Sequence, residues 1–542
     1  MTKNKKAKKK IEQKKKPTFS DNWLGLISVL VWLILLLLVF NPTPFTGGDN
    51  AHYRALAESI SQGDYLRLYE PGTPAETAST PGYPILLAPF YALWPDNILP
   101  SKLFLSLPLF ILALYFSFKL LRLYGVDRII AIGIPTICVL NTRISEFSHW
   151  AITEAPSLFF MILAVYLLEI GLREDRKTHF IIACISAVAA VYIRLPSMPI
   201  LAGFFLYLLY LKEWKKLITF VIITVLGLMP WGIWTIIIQG GEGNFYIRNL
   251  LSNQAEGAGQ SMGLSELIFR LWGNFKAYNF AHLPGLLFSP LVGSYLQIPT
   301  GVLIASLALI PFWISGFIYR LKRKNSNIIP FLLIPNLLML YLYGHPKWAT
   351  IRYLVGAAPL FIFLFFDGLN ILGKWLDRKK IKIAGVIILV IAILTALPSY
   401  FKNVNSNMKV VKSYLNGNEY AGYSPPMYTF VQACKWIQQN TPEDAILISR
   451  KPRLSYMWSK RPSRAYKFLS DPEVVIQDMD TSSADFIILD RFTQSTVAYL
   501  MPAIRSKPER FPAIYRTGPP ETYVLQILSP QQAAQTINTE NE

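Results

Sequence analysis

Cysteine is nearly absent: Cys138, Cys184 and Cys434 are the only three in 542 residues, too few and too scattered for a disulfide framework or a CxxC metal site. Charge is scarce as well, at 16% of residues against 52% hydrophobic. With a mean hydropathy of +0.34, that balance excludes an ordinary soluble protein. His52, His149, His282 and His345 are widely separated, and no HxxxH or HExxH pattern joins them, so metal ligands are assigned to none of them. A P-loop, a dinucleotide glycine fingerprint and a GxSxG elbow are also missing, which leaves an ATP-driven pump or a soluble-nucleotide enzyme unsupported. Acidic residues number 33 against 53 Lys and Arg, a net charge of +20. The cations sit in short clusters between apolar runs, as membrane topology requires, so nucleic acid is not a partner.

What the chain does have is long apolar runs. They recur at about 15 to 22 residues, close to the ~20 that cross a bilayer as a helix. The fold class expected is a polytopic α-helical membrane protein of about 11 transmembrane helices, with a small C-terminal α/β domain outside the cytoplasm. Residues 1–20, rich in lysine from Lys3 to Lys16, read as a basic cytoplasmic tail. Spans are expected near 23–40, 103–121, 129–141, 153–171, 179–193, 197–211, 217–238, 300–319, 328–343, a tenth between Tyr353 and Lys374, and 382–398. Every loop assigned inside is basic, as at Arg122 and Arg128, Arg173 to Lys177, Lys212 to Lys216, Arg320 to Lys324, and Lys374 to Lys380, whereas the first outside loop is acidic. The N-terminus is thus cytoplasmic in a multi-pass cytoplasmic (inner) membrane protein, and the C-terminal domain extracytoplasmic.

The domains follow from this: a transmembrane domain over 21–399, with outside segments 41–100 and 240–299, and a soluble domain over 400–542. Leu264, Leu267, Ile268, Leu271, Trp272 and Phe275 predict an amphipathic helix in the second outside segment. In the soluble domain, 426–440 reads as a helix and 445–449, 484–489 and 523–528 as short buried strands. Asp478-Met479-Asp480 reads as a solvated loop.

Chemistry concentrates in Gly48 to Phe90. Asp49 follows two glycines just beyond the first span, placed to accept a proton from a hydroxyl as a general base, or to cap the helix that follows. Glu154 opens the fourth span at the same membrane face, as a ligand-binding carboxylate or as a first-turn acid beside Pro156. Arg194, His345, Lys347 and Arg352 reach that face too. Arginine's fork of donors suits a phosphate, and snorkelling to lipid headgroups is the alternative.

Asp49 with Tyr53, Leu56-Ala57 and Gly63, followed by Pro81-Gly82-Tyr83-Pro84, resembles the first extracytoplasmic loop of the GT-C fold membrane glycosyltransferases. The likeness is strongest to the bacterial branch that holds protein O-mannosyltransferases and the aminoarabinose transferase of lipid A. Arg352-Tyr353 followed by Pro359 resembles that superfamily's late helix start. Asn50 stands where the mannosyltransferases usually have Glu, and Ser79-Thr80 where the aminoarabinose transferases have Glu-Lys. The resemblance implies an inverting transfer of a hexose or pentose from a polyprenyl-phosphate carrier to a hydroxyl of a lipid, glycan or protein, on the outer face of the cytoplasmic membrane. It implies Asp49 as catalytic base, Arg352 as ligand of the donor phosphate, and less directly Glu154 as catalytic and Arg194, His345, Lys347, Tyr53 and Tyr83 as substrate-binding. No cofactor is specified, and a divalent metal stays open. The competing readings are a transporter or flippase for a lipid-linked saccharide and a non-catalytic assembly partner of the same fold. Against transport stand the gathering of charged residues at one face and the lack of paired broken helices from inverted repeats.

Overall fold

The structure, a computed structural model, describes residues 19–44, 47–239, 263–294, 296–322, 327–374, 376–491 and 493–540. The lysine cluster from Lys3 to Lys16, residues 240–262 of the second outside segment, and Arg323 and Lys324 lie outside the described residues.

Each stretch expected as a span is helical: Phe19–Leu38, Leu107–Leu123, Arg128–Leu140, Glu154–Arg173, Lys177–Ile193, Pro199–Leu211, Trp214–Gln239, Thr300–Leu321, Ile329–Leu342, Ala358–Gly368 and Arg378–Leu415. By length and composition five of the described helices can cross a membrane, or six if Arg128–Leu140 and Thr142–Ser148, bent by 74°, form one span. The others are apolar helices of 10–17 residues. Several carry an internal proline, Pro135, Pro230, Pro311, Pro335 and Pro398, which neighbouring helices in lipid tolerate. The last helix runs on to Leu415, well past the residue 398 at which its apolar run ends. Once nucleated, a helix gains a hydrogen bond for every further residue fixed, which carries it through a continuation rich in Asn, Ser and Val, weak helix formers by themselves.

The chain divides into two compact units that ignore chain order. One comprises Met1–Phe40, Thr77–Tyr83 and Pro100–Lys409; the other Asn41–Glu76, Pro84–Leu99 and Val410–Glu542. The first outside loop therefore does not belong wholly with the membrane helices, as the sequence reading had placed it; most of it folds with the C-terminal residues.

The membrane unit has a large continuous apolar core, from Trp32 and Leu36 through Phe118, Leu158 and Phe204 to Phe361, Phe363 and Ala392, and a smaller cluster of Val39, Leu140, Ala396 and Tyr400. Small residues set its closest crossings: a Cβ on Gly316 would clash with the Leu364 carbonyl and one on Gly368 with that of Phe312, the close backbone approach that glycine permits between membrane helices. At one end of the bundle the helix termini are tied by polar groups. Glu169 accepts from the Tyr124 hydroxyl at 3.0 Å, from the Arg173 Nε at 3.1 Å and from the Ile328 amide at 3.0 Å. Arg320 donates to both oxygens of Asp367, one at 2.7 Å and the other closer, and its guanidinium lies against the Tyr124 and Phe363 rings. The expected amphipathic helix is present as Leu264–Lys276, with Leu264, Ile268 and Trp272 exposed. It is anchored by Asn274, whose amide donates to the Tyr341 and Gly344 carbonyls.

The second unit is built round a five-stranded sheet. Strands β1 (Leu447–Ile448), β2 (Ser463–Arg464), β3 (Phe486–Leu489), β4 (Ala513–Arg516) and β5 (Tyr523–Gln526) lie in the order β2-β1-β3-β5-β4. β1 is parallel to β2 and β3, and β5 antiparallel to β3 and β4. The expected helix is Pro425–Asn440. Ile448, Val475, Ile487, Leu500, Phe511 and Leu525 form the core. The first loop joins it as the helix Gly48–Ser61, packed on the helix Pro452–Ser459. The Ser463 amide donates to the Tyr69 carbonyl at 2.8 Å, and the Lys460 Nζ lies 3.1 Å from both Glu58 oxygens. Asp478 and Asp480 correct the sequence reading: they close the helix Pro472–Asp480 rather than a solvated loop. Asp478 is buried and holds Arg464 at 3.1 Å, while Asp480 holds Arg510 at 2.6 Å.

Candidate functional site

Glu154 begins a helix, behind Thr153, in a setting with almost no exposed surface. A carboxylate there needs partners, and two arginines supply them. Arg194 ends the helix Lys177–Ile193 in extended conformation and brings its Nη1 to 2.6 Å from Glu154 Oε1. Arg352 opens the short helix Arg352–Val355, and its Nε donates to the same oxygen. The Arg194 guanidinium also lies 5.4 Å from the centre of the Tyr353 ring, a contact that fixes its plane.

The Pro81-Gly82-Tyr83 motif has a structural task here. A Cβ on Gly82 would sit 2.5 Å from the Tyr192 carbonyl carbon, two residues before Arg194, so only glycine lets this turn press against the end of that helix. Tyr83 beside it is fully buried. Ser157 and Ser197 share a hydrogen bond of 2.7 Å, which ties the Glu154 helix to the turn after Arg194.

Two guanidinium groups against one carboxylate leave one positive charge in excess. Arg352 retains 27% exposure of its side chain, against 11% for Arg194 and none for Glu154. Glu154 thus reads as the group that positions the arginines, one of its oxygens being shared between two charged donors. Arg143 and Glu146, in the turns between Asn141 and Ser148, belong to the same charge neighbourhood, with Glu146 in electrostatic reach of Arg143, Arg352 and Glu154. Sequence reasoning passed over both, although two opposite charges three residues apart beside a span are the available signal.

His345 and Lys347 have local engagements. The His345 Nδ1 accepts from the Lys347 amide at 3.2 Å and its ring lies against Phe269, while the Lys347 ammonium lies 4.9 Å from the centre of the Trp348 ring. None of these contacts involves Glu154, Arg194 or Arg352.

Asp49 lies in the second unit, in the first turn of Gly48–Ser61, where Gly47 holds the capping position without a side-chain bond. Its carboxylate is 46% exposed and 3.6 Å from the Arg453 Nη1. Asp49 is therefore not the cap but an acid in a favourable position on the helix dipole. It lines a cleft of about 660 Å³ together with Tyr69, Glu70, Arg450, Lys451, Arg453, Arg464 and Ser482. Tyr53 lies beside it on the helix, its ring 5.3 Å from that of His52. Burial, with Arg453 adding to it, holds the His52 imidazole well below its ordinary 6.5, so it is neutral at physiological pH. Burial also pushes the Tyr69 hydroxyl up to about 12. Asp49 and Arg453 thus face each other across a rim where His52 and Tyr69 carry no charge. Among the described residues no three of His, Cys, Asp and Glu gather as metal ligands, and no step below runs through a metal.

No protein-family model matches the sequence, and no curated protein matches it by sequence. Solved structures do match. ArnT from Cupriavidus metallidurans in the apo state superposes with a TM-score of 0.56 over 94% of this chain and 98% of its own, at 13% identity. The same protein bound to undecaprenyl phosphate gives 0.55 over the same shares, at 11% identity. A mycobacterial arabinofuranosyltransferase, AftD, superposes with a TM-score of 0.47 at 12% identity, covering 93% of this chain and 41% of its own. The fold is that of the ArnT structures. Together with the apolar helices, it makes this chain a multi-pass membrane protein whose architecture is similar to that of ArnT along nearly its whole length.

Proposed function

We propose that this chain is an inverting glycosyltransferase that moves a sugar from a polyprenyl-phosphate carrier to the hydroxyl of a lipid, glycan or protein acceptor, on the outer face of the cytoplasmic membrane. The single observation that carries the reading is the convergence of Arg194 and Arg352 on one buried carboxylate. It leaves a surplus guanidinium charge on a fold similar to a protein crystallised with undecaprenyl phosphate. In this reading about eleven of the apolar helices cross the membrane, the N-terminus is cytoplasmic and the C-terminal unit extracytoplasmic.

The chemistry needs few groups. The carrier phosphate already activates the sugar. The acceptor oxygen attacks the anomeric carbon from the opposite side, the bond from that carbon to the phosphate oxygen breaks, and the electron pair leaves with the polyprenyl phosphate. Arg352 and Arg194 stabilise the charge that develops on the leaving phosphate, with Glu154 holding both in place. Asp49 is assigned to the acceptor proton on the strength of the motif resemblance alone. Tyr53, Tyr83, His345 and Lys347 are assigned to substrate binding on the strength of the motif resemblance alone.

The test is a transfer assay: purified protein in lipid, polyprenyl-phosphate sugars labelled on the sugar, and a membrane extract as acceptor source. Labelled product is expected, and Asp49→Asn is expected to lower its rate by about 10²–10⁴-fold with donor binding retained. An unchanged rate in that variant removes Asp49 as base. Movement of intact labelled donor across the bilayer, with no product from any sugar, replaces the transferase by a flippase.

A further inference from the structure

The cleft beside Asp49 holds more positive charge than its own carboxylates balance. Four cations line it, Arg450, Lys451, Arg453 and Arg464. Arg464 is matched by Asp478 at 3.1 Å and Arg453 faces Asp49 at 3.6 Å, while Glu70 on the opposite rim is already held by Arg67 at 2.8 Å. Among the described residues Arg450 and Lys451 form no salt bridge. The Arg450 guanidinium lies 4.6 Å from the centre of the Phe468 ring, and its buried Nε has no hydrogen-bond partner. Burial, and next the neighbouring Arg450, push the Lys451 ammonium below its ordinary value, so an anion placed between the two relieves both.

The backbone adds to this field. The helices Gly48–Ser61 and Pro452–Ser459 both start at the cleft, and neither has a side-chain cap. Two uncapped N-termini direct their partial positive charge into a space already ringed by cations. The volume of about 660 Å³ is that of a pocket for a small organic ligand rather than for a lone ion.

We propose that this cleft is a binding site for a phosphorylated ligand of saccharide or headgroup size, its phosphate held between Arg450 and Lys451 at the two helix starts. The site lies within the C-terminal unit and its first-loop partner, and it stands whether or not the chain transfers sugar. Asp49 tunes it, because the carboxylate both repels the phosphate and engages Arg453.

The experiment uses the full-length protein in nanodiscs of phosphatidylcholine alone, with glucose 1-phosphate as probe and glucose as control, read by calorimetric titration. Glucose 1-phosphate is expected to bind and glucose not. The double variant Arg450→Gln/Lys451→Gln is expected to weaken binding by at least about tenfold, and Asp49→Asn to tighten it. If the double variant fails to fold, Lys451→Gln alone, half-exposed, is measured and is expected to weaken binding severalfold. A second arm repeats the titration in nanodiscs containing phosphatidylglycerol. Loss of wild-type glucose 1-phosphate binding there, with binding in the neutral discs intact, assigns the cleft to a lipid headgroup; unchanged binding assigns it to a soluble phosphorylated saccharide. Equal affinity of folded wild type and variant, or no binding by the wild type in neutral discs, overturns the site. A failed transfer assay with this binding intact overturns only the transferase reading.

Discussion

The helix Glu154–Arg173 carries a buried carboxylate at each end, Glu154 and Glu169, about 22 Å apart at 1.5 Å per residue, and the chain treats the two differently. Glu169 meets one guanidinium, two phenols, Tyr124 and Tyr207, and one backbone amide, and the nearby Asp367 meets one arginine with both oxygens. Charges there balance one to one, and every group is supplied by the chain itself. Glu154 meets two guanidiniums on one oxygen, with Glu146 in electrostatic reach of one of them. Balanced pairing closes a bundle. Two arginines on one carboxylate carry a cost in desolvation, which the proposed role at the leaving phosphate would account for.

Substitutions sharpen this contrast. The largest effect is expected at the balanced end: Asp367→Asn leaves Arg320 buried without its counter-charge and should destabilise the protein by about 3–5 kcal/mol, seen as a lower melting temperature in detergent. Transfer per folded molecule should hardly change. Arg352→Ala should do the reverse, lowering transfer by about 10²–10³-fold while moving the melting temperature little, because Arg194 still pairs Glu154. Should both variants lose stability alike, the two ends are equivalent and the contrast fails. Gly82→Ala comes next: its Cβ meets the Tyr192 carbonyl and forces the Arg194 end of the helix to shift, costing about 1–3 kcal/mol in stability with a measurable drop in transfer. Ser157→Ala removes only the hydrogen bond to Ser197 and should cost about 1 kcal/mol, with kcat/KM the more sensitive readout.

Helices were legible in the sequence because an apolar run in lipid has hardly another way to satisfy its backbone, and all the expected stretches are helical. Glu154 and Arg352 stood out for a related reason, as charges at the edge of apolar helices. Their pairing did not, since the two residues are separated by most of the transmembrane chain and no local spacing encodes the contact. Asp478 and Asp480 were misread because Arg464 and Arg510, which pair them, arrive from other elements. β2 escaped notice because a two-residue strand, Ser463–Arg464, has no period to detect. The grouping of the first loop with the C-terminal residues left no trace in composition at all.

That grouping has a consequence in time. Residues 41–76 leave the ribosome long before their partners from Val410 onward. The 333 residues that separate Glu76 from Val410 take roughly 17–67 s at about 5–20 residues per second. Throughout that interval the segment bearing Asp49 exists without Lys460 to hold Glu58, without the Ser463 amide to hold Tyr69 and without Arg453 to face its carboxylate. The loop that carries the proposed base is thus among the first parts of the protein to be made and among the last to be finished, and a chain interrupted before its final quarter would present that base with no cleft around it.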